Sequence, residues 1–271
     1  MVANKIARFF KYAFLTVAAF LSVFPLYWMV ISSTNINRDI LRGSLIPGTN
    51  FLVNFQNLLA QAPLGQAFIN SVVNALSVSV VSIIICSIAG YGFEVYHSKA
   101  KDRFMAFLLV SVMVPFAAVM IPLFSLVASL GLMNTTLGFM LPMLSSAFLI
   151  MLFRQSARSF PNEIIEAARV DGLSELSIFI RMFMPTMKAT YAAAFTIQFL
   201  ASWNTFLWPR LIMTPGADSI TMPMLLANLL QGYVTDFGVN MIAALFASVP
   251  AIVVFFIMQR QFAEGIVGSV K

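Results

Sequence analysis

Fifty consecutive residues, 104–153, carry no Lys, Arg, Asp or Glu. A water-soluble domain cannot hide so long an uncharged stretch, whereas a bilayer demands one, since a spanning helix needs roughly 20 apolar residues. Further uncharged runs cover 12–37, 43–93, 189–209, 219–235 and 237–259. With 60% hydrophobic residues, 10% charged ones and a mean hydropathy of +0.91, the 271-residue chain reads as a membrane protein.

The run 104–153 exceeds two crossings and is interrupted by Gly131-Leu132-Met133-Asn134-Thr135-Thr136, a small polar turn that permits reversal. The run 43–93 opens with Ser44, Pro47, Gly48, Thr49, Asn50, Asn54, Gln56, Asn57 and Gln61, so only its later part spans. The run 219–235 is too short and polar to cross. Six helices are expected, near 12–32, 66–92, 104–130, 136–154, 189–208 and 238–259. Pro25, Pro115, Pro122, Pro142 and Pro250 fall inside them, where a bundle can satisfy the freed carbonyls.

Six crossings place both termini on one side. With a cytoplasmic N-terminus, thirteen basic residues face inward: Lys5, Arg8, Lys11, Lys99, Lys101, Arg103, Arg154, Arg158, Arg169, Arg181, Lys188, Arg260 and Lys271. Three face outward, Arg38, Arg42 and Arg210. The positive-inside rule therefore sets the orientation and accounts for the net charge of +6 without nucleic acid. Lys5, Arg8 and Lys11 before an apolar stretch also suit a signal peptide, but the stretch is long for one and lacks an A-x-A site before Ser32-Ser33-Thr34. A retained anchor is expected.

The charges argue against several functions. None of the 26 charged residues needs to lie deep in the bilayer, so the machinery of an ion-coupled carrier is missing. G-x-x-x-x-G-K-[ST] is absent, so any work must come from another subunit. One cysteine, Cys86, precludes an internal disulfide, and one histidine, His97, precludes a His/Cys metal cluster. His97 lies in a polar loop with no implied nucleophile, so a surface histidine is expected and intramembrane catalysis is not.

The longest inward segment, 155–187, concentrates charge in Ser159-Phe160-Pro161-Asn162-Glu163-Ile164-Ile165-Glu166-Ala167-Ala168-Arg169-Val170-Asp171-Gly172. Pro161 suits a first turn, Glu163 the positive dipole pole and Gly172 a left-handed terminator. About eleven residues give a helix of ~16 Å, too short to span and so lying along the surface. Ser174 can cap a second helix running toward Pro185. Ile164, Ala167 and Ala168 share one side, where small residues admit another protein; an amphipathic surface helix without a partner fits the same spacing.

The run Glu166-Ala167-Ala168-Arg169-Val170-Asp171-Gly172, followed after nine residues by Met182-Phe183-Met184-Pro185, resembles the EAA loop of permease subunits in ABC importers. Met182 and Met184 stand where that pattern has Ile and Leu, which keeps apolar bulk. Asn70-Ser71, Gly131-Leu132-Met133-Asn134-Thr135, Trp203-Asn204-Thr205-Phe206-Leu207-Trp208-Pro209 and Gln259-Arg260-Gln261-Phe262 with Gly265 and Gly268 are similar to the carbohydrate-uptake, maltose-type branch.

The resemblance implies an all-α polytopic fold of the type I ABC importer permease, one transmembrane domain over 1–271 with the EAA loop at 155–187 inside it. It implies a non-catalytic subunit in a prokaryotic cytoplasmic membrane, with both termini cytoplasmic. Its partners would be a second homologous permease, two ATPase subunits and an extracytoplasmic solute-binding protein. ATP and Mg would be held by the ATPases, with no cofactor in this chain. Glu166, Ala167, Ala168, Asp171, Gly172 and Pro185 would couple it to the ATPases. The tail from Gln259 and the outer loop 209–237, with Pro215, Gly216, Asp218, Pro223 and Gly232, are implied further contacts.

For a sugar pathway the fifth helix offers Tyr191, Gln198, Trp203 and Asn204 and the second Asn74 and Ser77, aromatic faces and hydrogen-bonding groups that equally serve helix packing. The same apparatus importing glycerol phosphate or another polar solute remains an alternative, as does a membrane scaffold or sensor whose loop binds a signalling protein.

Overall fold

The computed structural model describes the backbone of residues 2–213, 216, 219–231 and 235–268, and the side chains of 8–213, 216, 219–231 and 235–261. Pro215, Asp218, Gly232 and the tail's Phe262 and Lys271 side chains, flagged by the sequence, lie outside these residues. Among the described residues the chain is helical and has no strand. It forms two compact units: residues 1–65 with 224–249, and residues 66–223 with 250–271.

The first unit holds α1 (Val2–Ser33), α2 (Asn37–Leu41), α3 (Phe51–Gln61) and most of α14 (Met222–Leu229), with the start of α15 (Phe237–Gly268). Two of its asparagines are structural. Asn54, buried on α3, donates from Nδ2 to the carbonyls of Ser33 and Asn35, both at 3.0 Å. Asn37 Oδ1 accepts from the amides of Phe237 at 2.8 Å and Gly238 at 3.3 Å, capping α15. A Cβ on Gly238 would sit 2.4 Å from Asn54 Nδ2, so the close approach requires glycine. Phe55 stacks on Phe246.

The second unit holds α4 (Leu64–Val95), α5 (Lys99–Ser111), α6 (Phe116–Ser129), α7 (Thr136–Met140), α8 (Ala147–Ala157), α9 (Asn162–Val170), α10 (Glu175–Ile178), α11 (Met184–Thr186), α12 (Lys188–Trp203) and α13 (Leu207–Ile212), with the rest of α15. A 3₁₀ turn, Leu141–Met143, follows α7, and a π turn, Phe179–Phe183, joins α10 to α11. α4 packs tightly on α8, where a Cβ on Gly90 would meet Phe153 Cβ at 2.6 Å and Arg154 N at 2.7 Å.

Among the described residues three helices are long and apolar enough to cross a membrane, over Arg8–Ser33, Leu64–Val95 and Phe237–Gln261. The expected crossings 104–130 and 136–154 are bent pairs, α5 with α6 at 100° and α7 with its 3₁₀ turn and α8 at 53°, so five spans are reached if each pair counts as one. The expected crossing 189–208 is α12, 16 residues, stopping at Trp203.

Each break has a local cause. After α5 the amides of Val112, Met113 and Val114 bond three residues back, and Pro115 then sits extended at ψ 134. Pro142 tightens the second break, after which Ser146 restarts the helix by accepting from Leu149 N. At the end of α12, Asn204 Nδ2 and Thr205 Oγ1 bond back to the carbonyls of Leu200 and Ala201.

Candidate functional site

The 155–187 loop folds as a knob with a greasy underside. α9 runs nine residues, two fewer than expected, because Pro161 is its N-cap rather than its first turn and Asp171 is its C-cap. Ile165 and Ala168, one turn apart, are buried against Tyr91, Ala157, Phe160, Ile178, Phe179 and Phe183. Tyr91 stacks edge-on to Phe179, and Phe160 edge-on to Phe183, which makes the underside a rigid aromatic bed.

The end of α9 follows the capping pattern that its glycine predicts. Gly172 has φ 79; its amide bonds Arg169 O at 3.0 Å, while Leu173 N bonds Ala168 O at 3.0 Å. Ser174 then caps α10, accepting from Ser177 N. Across this turn the Arg169 guanidinium forks onto Glu175, at 2.6 and 3.2 Å, and lies over the Tyr96 ring. The Arg169 hydrogen bond, followed by one from Tyr96, holds the Glu175 carboxyl below its usual range. The Glu175 hydrogen bond in turn raises the Tyr96 phenol, and Arg169 is raised by Glu175.

The six residues transferred from the EAA resemblance separate in space. Glu166, Ala167, Asp171 and Pro185 are exposed, and Gly172 forms the turn. Ala168 is 1% exposed and belongs to the underside, which corrects its expected place beside Ala167: the inward stripe is Ile165 and Ala168. The outward stripe is Ile164, Ala167 and Val170, the last 88% exposed, extended by exposed Leu176 and Ile180. Val170, Leu176 and Ile180 were not singled out from the sequence, although Val170 continues the three-residue spacing of Ile164 and Ala167. The π turn precedes Pro185, whose missing N–H already interrupts the helical ladder.

One charge departs from expectation. Arg154 is 4% exposed, donating from Nε to Glu94 Oε2 at 3.1 Å and from Nη2 to Asp102 Oδ1. Arg158 also reaches Glu94, and exposed His97 pairs with Asp102 at 2.9 Å. A chain of opposite charges thus ties the ends of α4, α5 and α8, with the buried cation doubly compensated as its burial requires.

The second feature lies where the helices break. Phe116, Pro142, Met143, Asn204, Thr205, Phe206 and Trp208 line a cavity of about 460 Å³, open on one side. Backbone carbonyls at the breaks are answered by side chains: Gln198 Nε2 donates to Met143 O at 2.9 Å, and Trp208 Nε1 to the carbonyls of Gly138 and Phe139 at 3.2 Å. Asn204 and Thr205 spend a donor on their own helix, which leaves oxygen acceptors beside a mostly aromatic and apolar wall.

Of the six pathway residues, only Asn204 lines this cavity. Gln198 is buried and braces the break; Trp203 is buried, stacked on Phe199 and edge-on to Phe68. Tyr191 is tilted against Phe153 and lies with Lys188 along a separate, apolar cavity of about 470 Å³. Asn74 is buried on α4 and Ser77 half-buried there. Among the described residues no group of His, Cys, Asp and Glu is placed to hold a metal.

The chain is 45% identical over 96% of its length and 95% of the relative's to the lactose transport system permease protein LacG of Rhizobium radiobacter. It is 35% identical to the arabinooligosaccharides transport system permease protein AraQ of Halalkalibacterium halodurans, covering 93% and 92% of the two chains. The sn-glycerol-3-phosphate transport system permease protein UgpE of Escherichia coli K12 is 29% identical over 97% and 96%. A bacterial ABC transporter involved in import of the acidic polysaccharide alginate contains a chain that superposes with a TM-score of 0.82 at 19% identity, covering 96% of this chain and 98% of that one. That likeness establishes a shared fold. A family profile, the binding-protein-dependent transport system inner membrane component, matches residues 82–267, the stretch that carries both the knob and the cavity. The chain belongs to that family.

Proposed function

We propose that this chain is the membrane-spanning permease subunit of an ATP-driven importer for a sugar or oligosaccharide, pairing with a second permease and taking energy from separate ATPase subunits. The observation that carries the reading is the form of α9: an aromatic bed fixes its underside, and Ile164, Ala167 and Val170 are left outward for another protein. The 45% identity to a lactose permease protein supports the substrate class.

In this reading the ATPases bind ATP and Mg, close on hydrolysis-competent nucleotide and carry α9 with them as a lever. The 13 to 3 distribution of basic residues supports a cytoplasmic N- and C-terminus, with the knob on the same side. Solute passes the cavity at the helix breaks, where aromatic faces take the sugar ring and Asn204 and Thr205 accept from hydroxyls. An extracytoplasmic binding protein delivers it. Among the described residues none of the side chains lining the cavity is cationic, which favours a neutral solute over glycerol phosphate, the substrate named for the UgpE relative.

The test is reconstitution of the complex in sealed vesicles with binding protein, measuring ATP turnover and accumulation of lactose, arabinooligosaccharides and glycerol phosphate. Sugar-stimulated hydrolysis with sugar accumulation is expected. Accumulation by the isolated chain without an ATPase, or stimulation by glycerol phosphate alone, contradicts the reading.

A further inference from the structure

Gly92 has no evident structural reason to be glycine. It lies within α4, where glycine weakens a helix relative to alanine, and its φ is not positive. A Cβ built on it meets nothing within 4 Å, unlike Gly90 two residues earlier, where a Cβ would strike Phe153 at 2.6 Å. The space above Gly92 is the floor of a largely apolar groove of about 540 Å³ between the end of α4 and the start of α5.

Phe93 and Phe104, stacked at 6.0 Å with planes 9° apart, form one wall. Tyr96 and Lys101 close the mouth. The Lys101 ammonium is held there, donating to Gly92 O at 3.1 Å and Tyr96 O at 2.6 Å while lying 5.2 Å from the Tyr96 ring centroid, with a third N–H free to donate outward. The nearby carboxylates are already engaged, Asp102 by Arg154 and His97 and Glu175, beside Tyr96, by Arg169, which leaves the Lys101 charge uncompensated. Local charge at the mouth is therefore positive. The groove sits where the Leu64–Val95 span ends, and Ile88, Phe104 and Phe107 around it are exposed. The molecule present at such a boundary is lipid.

We propose that this groove binds one anionic phospholipid, an acyl chain lying over Gly92 against Phe93 and Phe104 and the phosphate meeting Lys101. A basic, preordered group at the headgroup level with an apolar slot beneath it is the pairing that such a lipid satisfies. The proposal does not depend on which solute is carried.

The full-length chain, purified with the subunits that accompany it in discs of equal phosphatidylglycerol and phosphatidylcholine, is released into the gas phase and its retained lipids counted. Phosphatidylglycerol is expected to exceed phosphatidylcholine, to fall about five-fold in Lys101→Gln, to persist in Lys101→Arg, and to be lost in Gly92→Leu, whose side chain fills the groove. Equal retention of the two lipids by the parent protein, or unchanged phosphatidylglycerol in both Lys101→Gln and Gly92→Leu, overturns the proposal. A photoreactive residue at position 100 should attach to lipid; attachment to a protein subunit instead also overturns it.

Discussion

The knob around α9 and the cavity at the helix breaks are built on opposite principles. The knob is locally complete: Pro161 starts it, Gly172 and Leu173 close it, Ser174 restarts the chain, and Arg169 with Glu175 staples the turn. The cavity is made of interruptions, at Val112–Pro115, Pro142–Ser146 and Asn204–Phe206; around the second, side chains from other helices answer the carbonyls, Gln198 at Met143 and Trp208 at Gly138 and Phe139. On the proposed reading, a part that transmits force must not deform, so its bonds close on themselves, and a part that admits a polar solute must free backbone and side-chain groups, so its helices stop.

The contrast is sharpest at two adjacent alanines. Ala167→Trp adds bulk to an exposed position, so insertion and thermal stability should hold while uptake falls about thirty-fold or more, as expected when a docking surface is blocked. Ala168→Leu instead overfills the underside and should cost about 1–3 kcal/mol of stability, read by thermal unfolding of the purified complex. If both variants lost stability and uptake alike, the knob would not have two distinct faces.

The cavity should respond differently. Asn204→Ala combined with Thr205→Val removes two hydroxyl-accepting groups, and the sugar concentration for half-maximal uptake should rise roughly ten-fold while basal ATP hydrolysis stays level. An unaltered half-maximal concentration would remove the cavity from the pathway.

The smallest effect belongs to the exposed staple. Glu175→Gln should change uptake by no more than about two-fold at neutral pH, since exposed ion pairs contribute little. Because Glu175 titrates below its ordinary range when folded, the staple's contribution is present above the unfolded carboxylate pKa of about 4.3 and is lost only as pH falls further, through the depressed folded value. The coupling ratio of the parent complex should thus be flat from about pH 5 to 8, and a step within that window would assign the titration to another group.

This division also explains what the sequence could reveal. Caps act within four residues, so Gly172, Ser174 and the short helix before them are legible in order along the chain. The breaks are not: a fifty-residue apolar run looks alike whether straight or bent by 100°, because lipid-facing helices carry no polar face to set a period. Pro115 and Pro142 marked possible kinks without their size, and the stop at Trp203 depends on Asn204 and Thr205 bonding back to their own helix. Burial of Arg154 was hidden for a different reason. Its carboxylates, Glu94 and Asp102, stand 60 and 52 residues away.

That Ile164, Ala167 and Val170 form the face through which an ATPase drives this permease is tested most directly by Val170→Cys. The single native cysteine, Cys86, is fully buried, so when this chain is labelled before assembly a thiol-directed photo-crosslinker attaches at position 170 alone. In the assembled, membrane-embedded complex the account predicts a crosslink to the ATP-hydrolysing subunit whose yield changes between nucleotide-free and ATP-bound states. Crosslinks to lipid alone, with full ATP-driven uptake retained, would contradict it.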